Sequence, residues 1–352
     1  MSQVRKKSPG VVNSPNTPLV KQNQYYKQWK LILSVIIFSC IVTYVTELEL
    51  FWKPTLIYLS KLRNGYLDTF MITMGYFGFE FFFILLPVSC FAGNFKNIGR
   101  KHSFGFDLTL LLLYTWLLGS LVKTVFQRLR PYQLYDDVVL TPDHMLVLEY
   151  SFPSGHSFGS MVSWSFLYDR LKVGLSKPQK IVLYIFTWAI VILASSSRIY
   201  FCVHYPHDII AGWLFAIILY RIYSDWDVLT ASYTLYTLVF SMIVFCIFSS
   251  TELLFHMPGL LLGTSSLFSI VLCMNFVKYL PVNSPLLNNV TPSSPYWKRF
   301  LRVVLGFSFF LILIYVRKNY DLTVFLLAFF GFLINFWFLV IAPFLFGTLK
   351  LY

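Results

Sequence analysis

The sequence predicts an all-α, polytopic integral membrane protein, a helical bundle of about ten spans, and three observations lead there. Of its 352 residues 57% are hydrophobic and 20% aromatic, too apolar for an ordinary soluble domain. Several uncharged runs reach the length that crosses roughly 30 Å of hydrocarbon. The basic residues, which give a formal charge of +13, fall mostly between those runs, as residues that set membrane topology do. No nucleic-acid module accompanies that charge, so nucleic acid is not an expected partner. The bilayer is.

Taken in order, residues 1–28 have the Ser, Pro, Asn, Gln and Lys bias of a disordered tail. Arg5, Lys6, Lys7, Lys21, Lys27 and Lys30 precede the first apolar run and place the N-terminus in the cytoplasm. That run, 30–44, is followed by no small-residue cleavage pattern and is expected to be retained as a span. The charged stretch 47–68 suits an interfacial helix better than a crossing. Further spans are expected at 69–92, 108–126, 154–167, 181–199, 209–222, 231–248, 261–277, 301–316 and 322–345. Lys96, Arg100 and Lys101 mark one cytoplasmic loop, and Arg170, Lys172, Lys177 and Lys180 another. Asp136, Asp137, Asp143 and Glu149 give the intervening loop the opposite bias. Lys278, Lys298 and Arg299 put a Pro- and Ser-rich loop in the cytoplasm, so the acceptor sequence Asn289 to Thr291 is expected to be unused. Arg317 and Lys318 run against this alternation. The expected domains are a tail (1–28), a catalytic membrane core (29–224) and a C-terminal helical annex (225–352) within the same structural domain.

Three polar segments interrupt this apolar chain, and the crossing count puts all of them on the non-cytoplasmic face: KTVFQRLRP (123–131), PSGH (153–156) and SRIYFCVHYPHD (197–208). In the first, Lys123 and Arg130 are seven apart, nearly one helical face, and both could approach one anion if the helix unwinds near Pro131. A row of charges meeting lipid head groups is the alternative for Lys123 and Arg128. In the second, Pro153 and Ser154 begin a helix whose free amides favour phosphate, Gly155 lets the backbone come close, and His156 can shuttle a proton. In the third, His204 and Asp208 share a helical face, so the carboxylate can hold one ring nitrogen while the other attacks phosphorus. Arg198 supplies a planar clamp for two oxygens, and His207 is expected to point away from Asp208 into the interface. His156, His204 and Asp208 are also zinc-type ligands, but Lys123, Arg130 and Arg198 would crowd a cation with like charge. No metal is expected. The five cysteines lack paired spacing and are expected to be reduced packing residues, with Cys202 bordering the third segment.

Lys-x6-Arg-Pro, PSGH and Ser-Arg-x5-His-x3-Asp, in this order over 123–208, resemble the three-part signature of the type 2 phosphatidic acid phosphatase (PAP2) superfamily. The resemblance implies a six-helix core and a metal-independent phosphohydrolase without cofactor. His204 would be the nucleophile that becomes phosphohistidine, Asp208 its support and His156 the acid for the leaving alcohol. Lys123, Arg130, Arg198, Ser154 and Gly155 would bind the phosphate. The additional C-terminal spans resemble both the glucose-6-phosphatase and the long-chain-base, or sphingosine-1-phosphate, phosphatase branches; the length, RPY at 130–132, the intact PSGH and HYPHDIIAG at 204–212 resemble the former, and Glu149 with Tyr150 the latter. Both branches imply an endoplasmic reticulum enzyme with a lumenal site. A site at the bilayer surface among aromatic residues favours a lipid phosphate monoester, a sphingoid-base phosphate or phosphatidic acid. The alternatives are a sugar phosphate, transfer to a lipid hydroxyl, and a non-catalytic transporter or lipid-binding protein. Against transport stands the lack of charges deep in the last spans. Oligomeric state is not legible.

Overall fold

The computed structural model describes residues 52–82, 85, 104–137, 149–225, 265, 268–269, 295–319, 329, 332–334 and 336–351. Every regular element among them is helical: α1 (Lys53–Lys61), α2 (Gly65–Gly75), α3 (Phe104–Phe126), the single turn α4 (Pro131–Leu134), α5 (Gly155–Leu171), α6 (Lys177–Tyr200), α7 (Pro206–Asp225), α8 (Tyr296–Asn319) and α9 (Ala342–Thr348). One π-helical turn, Tyr76–Glu80, continues α2, and another, Trp337–Ile341, leads into α9. The expected tail, the spans at 30–44 and 231–248 and the Asn289 acceptor sequence lie outside the described residues. Among the described residues two stretches, Asp107–Leu134 and Lys177–Tyr200, are long and apolar enough to cross a membrane.

Local chemistry sets the helix ends. Asn64 accepts from the Leu67 amide at 3.0 Å and starts α2 at Gly65, earlier than the 69 expected from apolarity alone. Helix α1 has nine residues, a length of about 14 Å, too short to cross, in line with the mixed character of 47–68. Ser176 and Gln179 form a capping box at α6, with Pro178 in its first turn. At its other end α6 closes in a Schellman turn, in which the Val203 amide donates to Arg198 O (3.1 Å) and the Cys202 amide to Ile199 O (2.9 Å). Cys202 takes the left-handed position, φ 54°, usually held by glycine. Pro206 then opens α7 at a position where its missing N–H costs nothing.

Helix α5 packs against α3, α6, α7 and the π-helical turn. Leu108 and Leu111 of α3, Phe158, Val162 and Phe166 of α5, Val191 of α6 and Ala216 of α7 form the centre of the core. Small residues let the helices approach: Ser157, Ser160 and Ser163 of α5 are all buried. At Gly212 of α7 a Cβ would fall 2.9 Å from Ser154 O and 3.1 Å from Phe158 N, so the start of α7 can lie against the start of α5 only because this residue is glycine. Ile181, Val182, Ile185 and Phe186 of α6 face outward, the side a bilayer would cover. In the C-terminal part Lys298 Nζ donates to Lys350 O at 2.7 Å and Trp337 Nε1 to Gly306 O at 3.2 Å.

The connections fix which helix ends meet. The Ser151 amide donates to Arg128 O (2.8 Å) and the Ser154 amide to Asp208 O (3.1 Å). The end of α3, the start of α5, the end of α6 and the start of α7 thus gather at one end of the bundle.

Candidate active site

At that end Lys123 lies in the last turn of α3, while Arg130 has left the helix. The expected single helical face for the pair does not form. Gln127, with φ 45° and its amide donating to Lys123 O at 2.9 Å, ends α3 well before Pro131. Residues 127–130, outside any regular element, then carry Arg130 inward, where Nε donates to Glu149 O (2.8 Å) and Nη1 to Val203 O (2.9 Å). Lys123 Nζ pairs with Glu149 Oε2 at 2.9 Å. Both cations are almost fully enclosed, and so is Arg198.

His204 sits between α6 and α7, where the Schellman turn delivers it. Its Nδ1 is 3.3 Å from Asp208 Oδ2, and its Nε2 is 3.2 Å from Arg130 Nη1. With a carboxylate on one side and a guanidinium on the other, the neutral ring is assigned its proton on Nδ1 and its lone pair on Nε2. Burial first, and then the Arg130 charge, hold the imidazole pKa well below its ordinary range against the opposing pull of Asp208. Burial opposes ionisation of Glu149, but Lys123 outweighs it, aided by Arg130 and His156, and keeps that carboxyl below the usual range.

Asp208, wholly buried, occupies the third position of α7 and reaches back to the Tyr205 amide at 2.9 Å, half of a capping box. The same oxygen, Oδ2, accepts from Ser151 Oγ at 2.5 Å. Ser154 is the N-cap of α5, accepting from the Ser157 amide (3.4 Å) and Ser157 Oγ (3.0 Å). Gly155 follows as the first residue of α5. A Cβ there would meet nothing within 4 Å, so no packing demand explains the glycine. His156 lies edge-on to Phe79 from the π-helical turn, with ring centroids 5.8 Å apart. Arg198 joins the site through its carbonyl, which accepts from the Val203 and His204 amides.

The structure therefore ties Arg130, His204 and Asp208 together by direct contacts, and Lys123 to them through Glu149. Ser154 and Gly155 join through the Ser154–Asp208 backbone bond, and His156 follows them in the first turn of α5. Three further residues belong to this cluster by contact. His207 does not point into an interface but is buried, with Nε2 3.2 Å from Asp208 Oδ1. Glu149 and Ser151 were not read as site residues. The signal for them is a carboxylate and a hydroxyl just ahead of PSGH in a chain with 15 acidic residues. Among the described residues no three His, Cys, Asp or Glu side chains are grouped to hold a metal ion.

Residues 104–230 match the PAP2 superfamily. The chain is 29% identical over 195 residues to undecaprenyl-diphosphatase of Sulfolobus acidocaldarius, covering 54% of this chain and 85% of that protein. It is 29% identical over 170 residues to phosphatidylglycerophosphatase B of Bacillus subtilis, covering 47% and 78%. Among solved structures it is similar to a transmembrane PAP2-type phosphatidylglycerolphosphate phosphatase from Bacillus subtilis (25% identity, 57% and 96% coverage, TM-score 0.46). It is also similar to Aquifex aeolicus LpxE (23% identity, 49% and 94% coverage, TM-score 0.35). The superfamily match over residues 104–230 takes in all three polar segments and the four helix ends around them.

Proposed function

We propose that this chain hydrolyses a lipid phosphate monoester, without a metal, through a phosphohistidine at His204. One observation carries the reading: the His204 imidazole lies between Asp208 on Nδ1 and Arg130 on Nε2, beside a second buried cation, Lys123. The Nε2 lone pair attacks phosphorus, the bond from phosphorus to the ester oxygen breaks, and His156 gives its proton to the departing alkoxide. Asp208 holds the Nδ1 proton and stabilises the charge that the ring acquires. Lys123, Arg130, Arg198 and the first-turn groups of Ser154 and Gly155 take the charge of the phosphoryl oxygens. Water, deprotonated by His156, then attacks the phosphohistidine, and inorganic phosphate leaves.

The lipid class is supported by the two relatives, both named for phosphorylated lipids, and by the apolar outer surface of α6. Sphingoid-base phosphate and phosphatidic acid are the monoesters proposed, with the site on the lumenal or extracellular side and the N-terminus cytoplasmic, as the distribution of basic loops favours, and with the endoplasmic reticulum as the membrane that the branch resemblance implies. The test is phosphate release by the purified protein, with a chelator present, from sphingoid-base phosphate, phosphatidic acid, an isoprenyl phosphate and glucose-6-phosphate. Turnover of the lipid monoesters alone is expected. Preference for the sugar phosphate would overturn the substrate class, phosphoryl transfer to an added alcohol in place of release would make the chain a transferase, and loss of activity on chelation would sink the metal-free mechanism.

A further inference from the structure

Asp208 has two oxygens, and the roles described so far use one. Oδ2 takes the Ser151 hydroxyl, the Tyr205 amide and the His204 ring at 2.5, 2.9 and 3.3 Å. Oδ1 is equally enclosed, and a buried carboxylate oxygen without a polar neighbour is costly. The group that reaches it is His207 Nε2, at 3.2 Å. That approach is close but not aligned as a directed hydrogen bond, and neither ring nitrogen of His207 makes one among the described residues.

The His207 ring is held by stacking. It lies 5.2 Å from the Tyr205 ring at an interplanar angle of 15°, and 6.3 Å from Phe152 at 30°. Tyr205 is in turn covered by the Arg128 guanidinium, 4.8 Å from its centroid, and Phe152 packs on Phe126 at 4.8 Å. Stacked rings resist tilting out of plane yet allow in-plane sliding, the motion that brings an Nε2–H onto Oδ1.

We propose that His207 is a positioning residue for the reaction at His204, holding Asp208 Oδ1 so that Oδ2 stays directed at His204 Nδ1. This rests on His204 as the nucleophile. Without His207 the carboxylate can rotate about its Cβ–Cγ bond. The imidazole then loses the fixed tautomer and aim that in-line attack needs, a misplacement that costs on the order of 10- to 100-fold. Substrate does not touch His207 in this arrangement, so the loss falls on the rate of phosphorylation and leaves KM nearly alone.

The experiment is rapid-quench measurement of acid-labile phosphoprotein from labelled sphingoid-base phosphate or phosphatidic acid. It compares wild type, His207→Gln, His207→Leu, Asp208→Asn and the Asp208→Asn, His207→Leu double variant. Glutamine carries its nitrogen donor about as far from the backbone as Nε2. It is expected to keep the phosphorylation rate within about threefold, while leucine lowers it by about 30-fold with KM changed less than about threefold. In the Asp208→Asn background the leucine substitution should cost less than about twofold more, because the two residues act as one unit. A glutamine variant as slow as leucine, a leucine variant at wild-type rate, or full additivity in the double variant would each overturn the assignment. If the leucine chain does not fold, His207→Asn, whose shorter side chain cannot carry its donor to Oδ1, takes its place with the same expected loss, and an asparagine variant at wild-type rate would overturn the assignment. If wild type itself forms no phosphohistidine, the proposed mechanism fails instead, and the two failures are distinguishable.

Discussion

The two ends of the helical bundle both carry buried charge, and they use it differently. At the end remote from the site, Asp107 near the start of α3 pairs with Arg170 near the end of α5 at 2.6 Å, and the pair is almost wholly enclosed. Beside it Asp169 takes both Lys172 and the Tyr220 hydroxyl. The acids and bases there are matched one to one. At the site end, among the described residues, Lys123 pairs with Glu149, Arg130 reaches the His204 ring and backbone carbonyls rather than a carboxylate, and Asp208 is engaged by two histidines and a serine. Matched buried pairs fix how helices pack, whereas a buried guanidinium held by a ring and carbonyls can still receive an anion. What separates the two ends is not the burial of charge but the imbalance in its pairing.

Exchanging the damage between the two ends gives the largest effect. His204→Ala is expected to lower phosphate release by about 1000-fold or more and abolish the phosphoprotein, with the melting temperature little changed. Asp107→Asn, which leaves Arg170 buried without its partner, is expected to cost about 3 kcal/mol of stability while the folded fraction turns over at the normal rate. Paired thermal melts and turnover assays read both. An Asp107 variant that is stable but slow would erase the distinction between a structural and a catalytic end.

The site end should also titrate differently from a free histidine. His204 has its pKa depressed by burial and Arg130, so as pH falls through about 6.5 the unfolded chain takes up a proton and the folded chain does not. The associated stability is present above the unfolded pKa and is lost as pH falls towards and through the folded one. Activity follows the same sign. The acid limb of kcat/KM is expected below pH 6.5 for wild type and to move up towards it in the residual activity of Arg130→Gln. The substrate's own ionisation is common to both profiles and cancels in the comparison. An unmoved limb would show that Arg130 does not act on His204.

Much of this imbalance was visible in the sequence because the three polar segments stand out against apolar runs, and the crossing count gathers them on one face. The α5 and α7 starts were legible too, from Ser154 and Pro206, since capping chemistry is local. What failed were readings that depend on a second element. Spacing alone allowed Lys123 and Arg130 one helical face or an unwinding near Pro131, and the left-handed Gln127, not the Arg-Pro step, is where the helix ends. His207 has the look of an interfacial residue because Phe152, which packs on it together with its sequence neighbour Tyr205, comes from a distant part of the chain. Glu149 and Ser151 acquire their roles only once residues 149–151 fold back onto α3 and α7.

The smallest expected effects come from the turns that close the two ends. The α5–α6 turn, remote from the site, uses Gly174 at φ 82°, the inexpensive residue for a left-handed position. The α6–α7 turn at the site uses Cys202 at φ 54°, which costs roughly 1 kcal/mol in backbone strain, partly offset by its buried sulfur, 3.7 Å from Leu56 O. Gly174→Ala adds a Cβ in open space but at an unsuitable φ, and should lower stability by about 1 kcal/mol without affecting turnover. Cys202→Val places a β-branched residue at the same kind of φ and should cost about 2 kcal/mol. His204 lies two residues beyond, its amide bonded to Arg198 O in that turn, so this variant should also slow phosphorylation by a few-fold. Cys202→Gly relieves the strain but removes the sulfur packing, and should be nearly neutral in melting temperature. Equal turnover in Cys202→Val and Gly174→Ala would mean that the Schellman turn ends α6 without aiming His204.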